Sequence, residues 1–155
     1  MNFRSLLTLV IVAFPIASAF AERPHTPGPG SSERKAIADA MRKVVHKAFG
    51  KNDSQIVFVF RTLRVQDGWA WAEALPRREG AAANQLEPVS FVLRRNDSGS
   101  WIVAASPPEE VVTAGDPERA MRTWVKSLPT KHPGLPAAIL PNQSPAWWKL
   151  FSGRG

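Results

Sequence analysis

The 155-residue chain contains no cysteine. That absence removes disulfide scaffolds, thiol nucleophiles, redox pairs, iron–sulfur clusters and thiolate zinc sites together. No stretch approaches the roughly 20 apolar residues that a membrane-spanning helix takes. The zinc-protease HExxH, the hydrolase GxSxG, SxxK, the Walker loop, the dinucleotide GxGxxG and the zinc-finger spacing are all missing. The three histidines, His25, His46 and His132, lie in separate segments without metal-ligand spacing. No catalytic group and no cofactor is therefore expected.

What is present fits one compact domain: 44% of the residues are hydrophobic and 21% charged, enough for a single core and too little for two. Twenty basic against thirteen acidic residues give a net charge of +7 and a pI of about 10.6, which favours an acidic protein or an anionic envelope component as partner. The basic pairs Arg34-Lys35, Arg42-Lys43, Arg77-Arg78 and Arg94-Arg95 would also suit single-stranded nucleic acid. Export argues against that reading, and no nucleic acid is expected as a partner.

The export signal is at the start. A positive segment, Met1 to Arg4, precedes an apolar core from Leu6 to Phe14, and Ala19-Phe20-Ala21 offers small residues at the two positions a signal peptidase reads. Residues 1–21 read as a signal peptide, with Ala17-Ser18-Ala19 a second possible cut, and no transmembrane anchor remains after cleavage. A periplasmic or secreted location follows. The triplets Asn52-Asp53-Ser54, Asn96-Asp97-Ser98 and Asn142-Gln143-Ser144 match the glycosylation pattern, which matters only in a eukaryotic host.

Residues 22–30, with three prolines and two glycines, read as an extended leader, and residues 31–155 as a single α+β domain. Ser31 or Ser32 starts an amphipathic helix whose apolar side carries Ile37, Ala40, Met41, Val44, Val45, Ala48 and Phe49, ending at Gly50. Asp67-Gly68 supplies the turn of a tight hairpin pairing Gln66 with Trp69, Val65 with Ala70, Arg64 with Trp71 and Leu63 with Ala72. Uninterrupted alternation would put Val57, Val59, Arg61, Leu63, Val65, Ala70, Ala72 and Ala74 on one face. Phe58, Phe60, Thr62, Arg64, Trp69, Trp71, Glu73 and Leu75 would occupy the other. Pro76 to Pro88 reads as a long polar loop. Val89 to Arg95 and Trp101 to Ala105 complete an antiparallel sheet of about four strands. A second helix starts at Asp116-Pro117-Glu118 and stops before Pro129. The expected architecture is an N-terminal helix packed on a curved antiparallel sheet, plus that second helix.

These elements, with Phe58 to Val65, Asp67-Gly68-Trp69-Ala70-Trp71, Leu93-Arg94-Arg95, Trp101-Ile102-Val103 and Leu135 to Pro141, resemble small exported bacterial proteins of uncharacterised function. The arrangement also resembles the cystatin and NTF2-like class, a helix across a curved sheet. That class hosts enzymes, inhibitors and ligand-binding modules alike, so the likeness selects no function.

The expected function is a non-catalytic exported binding protein, an inhibitor or immunity-type partner of another protein. The candidate binding residues are Arg61, Arg64, Trp69, Trp71, Glu73, Arg77 and Arg78, because rigid aromatics and arginines supply large contacts at modest ordering cost. Trp71 would be the central anchor unless the long loop or the C-terminal segment buries it. Glu73 belongs either to a polar pocket or to a cross-strand ion pair, and Arg61 either snorkels or holds an anion. The alternatives are a module for a small molecule or an anionic envelope polymer, with a pocket containing Arg61 or Glu73, and a hydrolase without a recognisable motif. Trp147, Trp148, Leu150 and Phe151 near the C-terminus either close the core or form an exposed anchor.

Overall fold

A computed structural model describes residues 22–49, 56–78 and 87–141. The signal segment, the Asn52 triplet and the Trp147-Trp148 tail lie outside the described residues. Helix α1 spans Ser32–Phe49, strands β1 Ile56–Gln66, β2 Trp69–Arg78, β3 Val89–Arg95 and β4 Trp101–Ala105 follow, then helices α2 Glu109–Val112 and α3 Pro117–Lys131 and a 3-10 turn at Ala137–Ile139. The sheet is an antiparallel meander in the order β1-β2-β3-β4. The expected α+β class, with a helix, a four-stranded antiparallel sheet and a further helix, is the one found.

The Ser31 hydroxyl accepts the Arg34 amide at 3.2 Å and so satisfies a free donor at the start of α1. The helix buries Ile37, Ala40, Met41 and Val45 against one face of the sheet, where Leu63, Val65, Ala70, Ala72, Ala74, Phe91, Leu93 and Trp101 meet them. The three β2 alanines leave room for this approach. Val44, expected on the apolar side, is 38% exposed at the edge of the stripe.

The hairpin turn is as expected. Asp67 and Gly68 both take positive φ, 49° and 74°, and the four expected pairs from Gln66↔Trp69 to Leu63↔Ala72 are in register. Beyond Thr62 the alternation breaks. Thr62 pairs with Glu73 and Phe60 with Ala74, so Arg61 is an extra residue in a β-bulge. One inserted residue exchanges the faces of everything before it. Ile56 is buried and Phe58 and Phe60 pack on the α1 core, while Val57 and Val59 turn to the other side. That reverses the face assignment expected for residues 56–60.

Strand β2 also runs further than expected, pairing Pro76 with Phe58, Arg77 with Val57 and Arg78 with Ile56. Arg77 and Arg78 therefore extend a strand instead of lying in a loop. Beyond Ala74, β2 has β1 but not β3 beside it, a position where the missing N–H of Pro76 costs little.

The second face is covered by α3 and the segment after it. Asp116 caps the helix by accepting the Arg119 amide at 3.0 Å, with Pro117 in the first turn. Trp124, Val125 and Leu128 then pack with Leu135 and Ile139 on Trp71 and Val92. The helix does not stop before Pro129 but runs to Lys131. Proline there deprives only the Val125 carbonyl of its donor, and His132 closes the end with a 2.8 Å bond to the Leu128 carbonyl.

The 22–30 leader is pinned to the domain. His25 forms a two-bond antiparallel bridge with Val65, 2.9 and 2.8 Å, on the outer edge of β1. Pro27 is buried and its carbonyl accepts from Arg34 at 3.1 Å.

Candidate functional site

The residues that bear chemistry gather on the α3 side of the sheet, at the end occupied by the bulge. Glu73 sits mid-strand on β2, with Thr62 opposite it on β1 and Ser90 opposite it on β3. The three make a polar row across an otherwise apolar sheet. Glu73 is wholly buried and Ser90 is 4% exposed. Neither Glu73 carboxylate oxygen nor the Ser90 hydroxyl has a partner at hydrogen-bonding geometry. Burial raises the Glu73 pKa from 4.5 to about 7, against the opposing pull of the Arg61 charge and the nearby Thr62 hydroxyl. A carboxyl in this condition holds a proton close to neutral pH. It is a buried member of this polar row and makes no cross-strand ion pair with Arg64.

Around this row the strand edge is basic and partly bare. Arg61 on the bulge, Arg64 and Arg77 are exposed. Val57 and Val59, 42% and 43% exposed, pair with Arg77 and Leu75 on the same face. Arg64 pairs in register with Trp71 and reaches toward the Ala138 carbonyl at 3.5 Å. Arg78 is placed by its backbone at the end of β2 opposite Ile56.

The tryptophans share a face, as their two-residue spacing requires, but they do not present it. Trp71 has no exposed surface and lies 6.0 Å, ring to ring, from Trp124 of α3. It is a core residue, so the expectation of an exposed central anchor at Trp71 does not hold in this conformation. Trp69 is half-buried, edge-on to the His132 ring at 6.0 Å. Ser90, Val57 and Val59 were not singled out from the sequence. For Val57 and Val59 the signal in the sequence was Arg61, a charged residue set into an apparently apolar face; Ser90 had none.

A second polar cluster lies at the opposite corner. Glu33 accepts from Arg95 at 2.7 Å and meets His25 at 2.9 Å, while Arg95 stacks on Trp101 at 5.0 Å. Partial burial opposes ionisation of Glu33, but the hydrogen bonds and charges of His25 and Arg95 outweigh it and hold the carboxyl below its usual range. Between α2 and α3 lies an open groove of about 560 Å³, lined by Val111, Ala114, Ala120 and Trp124 and flanked by Arg119 and Lys131. Among the described residues there is no group of three or more histidine or acidic side chains placed to hold a metal ion, and no helix is long and apolar enough to cross a membrane. Comparison with protein-family models, with curated proteins and with solved structures finds no match.

Proposed function

We propose that this is an exported, non-catalytic binding protein, and that it takes an acidic, extended segment of another protein along the β1 edge. The observation that carries this reading is the pair Val57 and Val59, exposed on the outermost strand and rimmed by Arg61, Arg64 and Arg77. An edge strand offers a row of backbone donors and acceptors to an incoming strand. Alternate apolar side chains on that strand would meet Val57 and Val59, and carboxylates would meet the arginines, whose planar donors suit them. The net charge of +7 favours encounter with an acidic surface. A small-molecule site at Glu73 would require the polar row to open, because Glu73 has no surface exposed.

The test is affinity capture from a native envelope extract with the wild-type protein and a Val59→Asp variant side by side, followed by titration of the retained protein at two salt concentrations. The expected partner is acidic, binds at least about tenfold more weakly to Val59→Asp and weakens further with salt. A partner that binds both forms equally would move the interface away from β1.

A further inference from the structure

We propose that hydrolysis of the Ala21–Glu22 peptide bond during export frees an ammonium group on Glu22 that docks on the Asp67 carboxylate, locking the 22–30 strap over one end of the β1 edge. The proposal rests on the export reading, and on a geometry that is independent of it. The Glu22 backbone nitrogen lies 3.1 Å from Asp67 Oδ1, and the second oxygen of the same carboxylate accepts from Gln66 Nε2 at 3.2 Å. Asp67 itself is held in place by the hairpin turn, at φ 49°. Three residues on, His25 is bonded through both its backbone groups to Val65, and its ring spans Glu22 at 3.4 Å and Glu33 at 2.9 Å. The strap is thus fixed at His25, three residues beyond the Glu22 nitrogen.

The chemistry of the cut gives that receptor its purpose. Peptide hydrolysis by the export peptidase consumes one water, breaks the carbonyl–nitrogen bond, leaves a carboxylate on Ala21 and a protonated amine on Glu22. Before it, Glu22 offers Asp67 one neutral N–H donor. Afterwards it offers a unit positive charge with three donors, and charge-assisted hydrogen bonds are roughly twice as strong as neutral ones. The departing carboxylate goes with the leader, so the strap gains attraction without a new like charge beside Asp67. Processing then strengthens a protection already in place: the Val65 end of β1 is closed by the strap, and the Ile56 to Phe60 end, where Val57 and Val59 stand exposed, is left for a partner. A cut after Ala19 would leave an amine two residues beyond the receptor.

The full chain, expressed in a host that exports it, is recovered and its intact mass measured. The α-amine is then titrated through its pH-dependent acylation in wild type, Asp67→Asn and Asp97→Asn. Asparagine tolerates positive φ, so the turn survives the change at Asp67, and Asp97, on the far β3–β4 turn, controls for loss of one negative charge. The expected product begins at Glu22, and its amine titrates about half a unit higher in wild type and Asp97→Asn than in Asp67→Asn, an acylation about two- to threefold slower near pH 7.5. A product beginning at Glu22 whose amine titrates alike in all three overturns the docking but leaves export standing. A chain recovered uncut, or cut elsewhere, overturns the docking by mass alone, and the uncut chain overturns export with it.

Discussion

The two faces of the sheet are built on different terms. Toward α1, thirteen buried hydrophobic residues among those described form one cluster without a buried charge. Toward α3, the cluster is smaller and stops at the Thr62–Glu73–Ser90 row, past which Val57 and Val59 are exposed among arginines. Burying a carboxyl without a hydrogen-bond partner costs stability. The first face is spent on holding the fold, and the second carries the features that stability alone does not account for.

The sharpest way to break this contrast is at the aromatic centre of the second face. Trp71→Ala removes a fully buried indole from between β2 and α3, and about 3–5 kcal/mol of stability should go with it, read from the shift in urea midpoint. A loss no larger than that of an exposed substitution would mean that α3 does not seal this face.

Glu73 gives a nearly comparable effect with a pH signature. Because its folded pKa is raised from 4.5 to about 7, the neutral acid contributes fully below pH 4.5, and that contribution is lost as pH rises through 7. The wild-type protein should lose about 3 kcal/mol from this group between pH 4.5 and pH 8. Glu73→Gln, which keeps the shape and stays neutral, should lack that slope and be the more stable protein at pH 8. Parallel unfolding curves at the two pH values decide the matter, and identical slopes would show that the carboxyl is solvated.

A smaller loss is expected at the turn that both faces share. A side chain at Gly68 finds ordinary room, with Arg95 Cβ 3.9 Å away, so the penalty of Gly68→Val comes from the φ of 74°. It should be about 1–3 kcal/mol in thermal or urea unfolding. The smallest effect belongs to the basic rim. Arg77→Ala should change stability by no more than about 0.5 kcal/mol, while weakening the salt-sensitive part of partner association in calorimetry.

Local chemistry explains which parts of this picture were legible in the residues. Asp67-Gly68 fixes a turn by backbone conformation, so the register from Gln66 to Leu63 follows directly. Asp116-Pro117 likewise announces a helix start. The bulge is different: it depends on how Arg61 is accommodated when two layers close on the sheet, and alternation alone runs straight through it. Glu73 opposite Thr62 was readable across the hairpin. Ser90 was not, because its pairing with Glu73 is set across the long connection from β2 to β3. The burial of Trp71 similarly depends on where α3 lands, which no spacing within the hairpin specifies.

The meander has a kinetic consequence. Each strand pairs with the one made just before it, so no sheet contact must wait for a distant part of the chain, and contacts of short sequence separation form quickly. A polypeptide emerging amino end first can zip its sheet in order while the 50 residues after β4 are still absent. The surface of Trp71 and Val92 that receives Trp124 then stays open longest, and α3 is the last layer to close on the sheet.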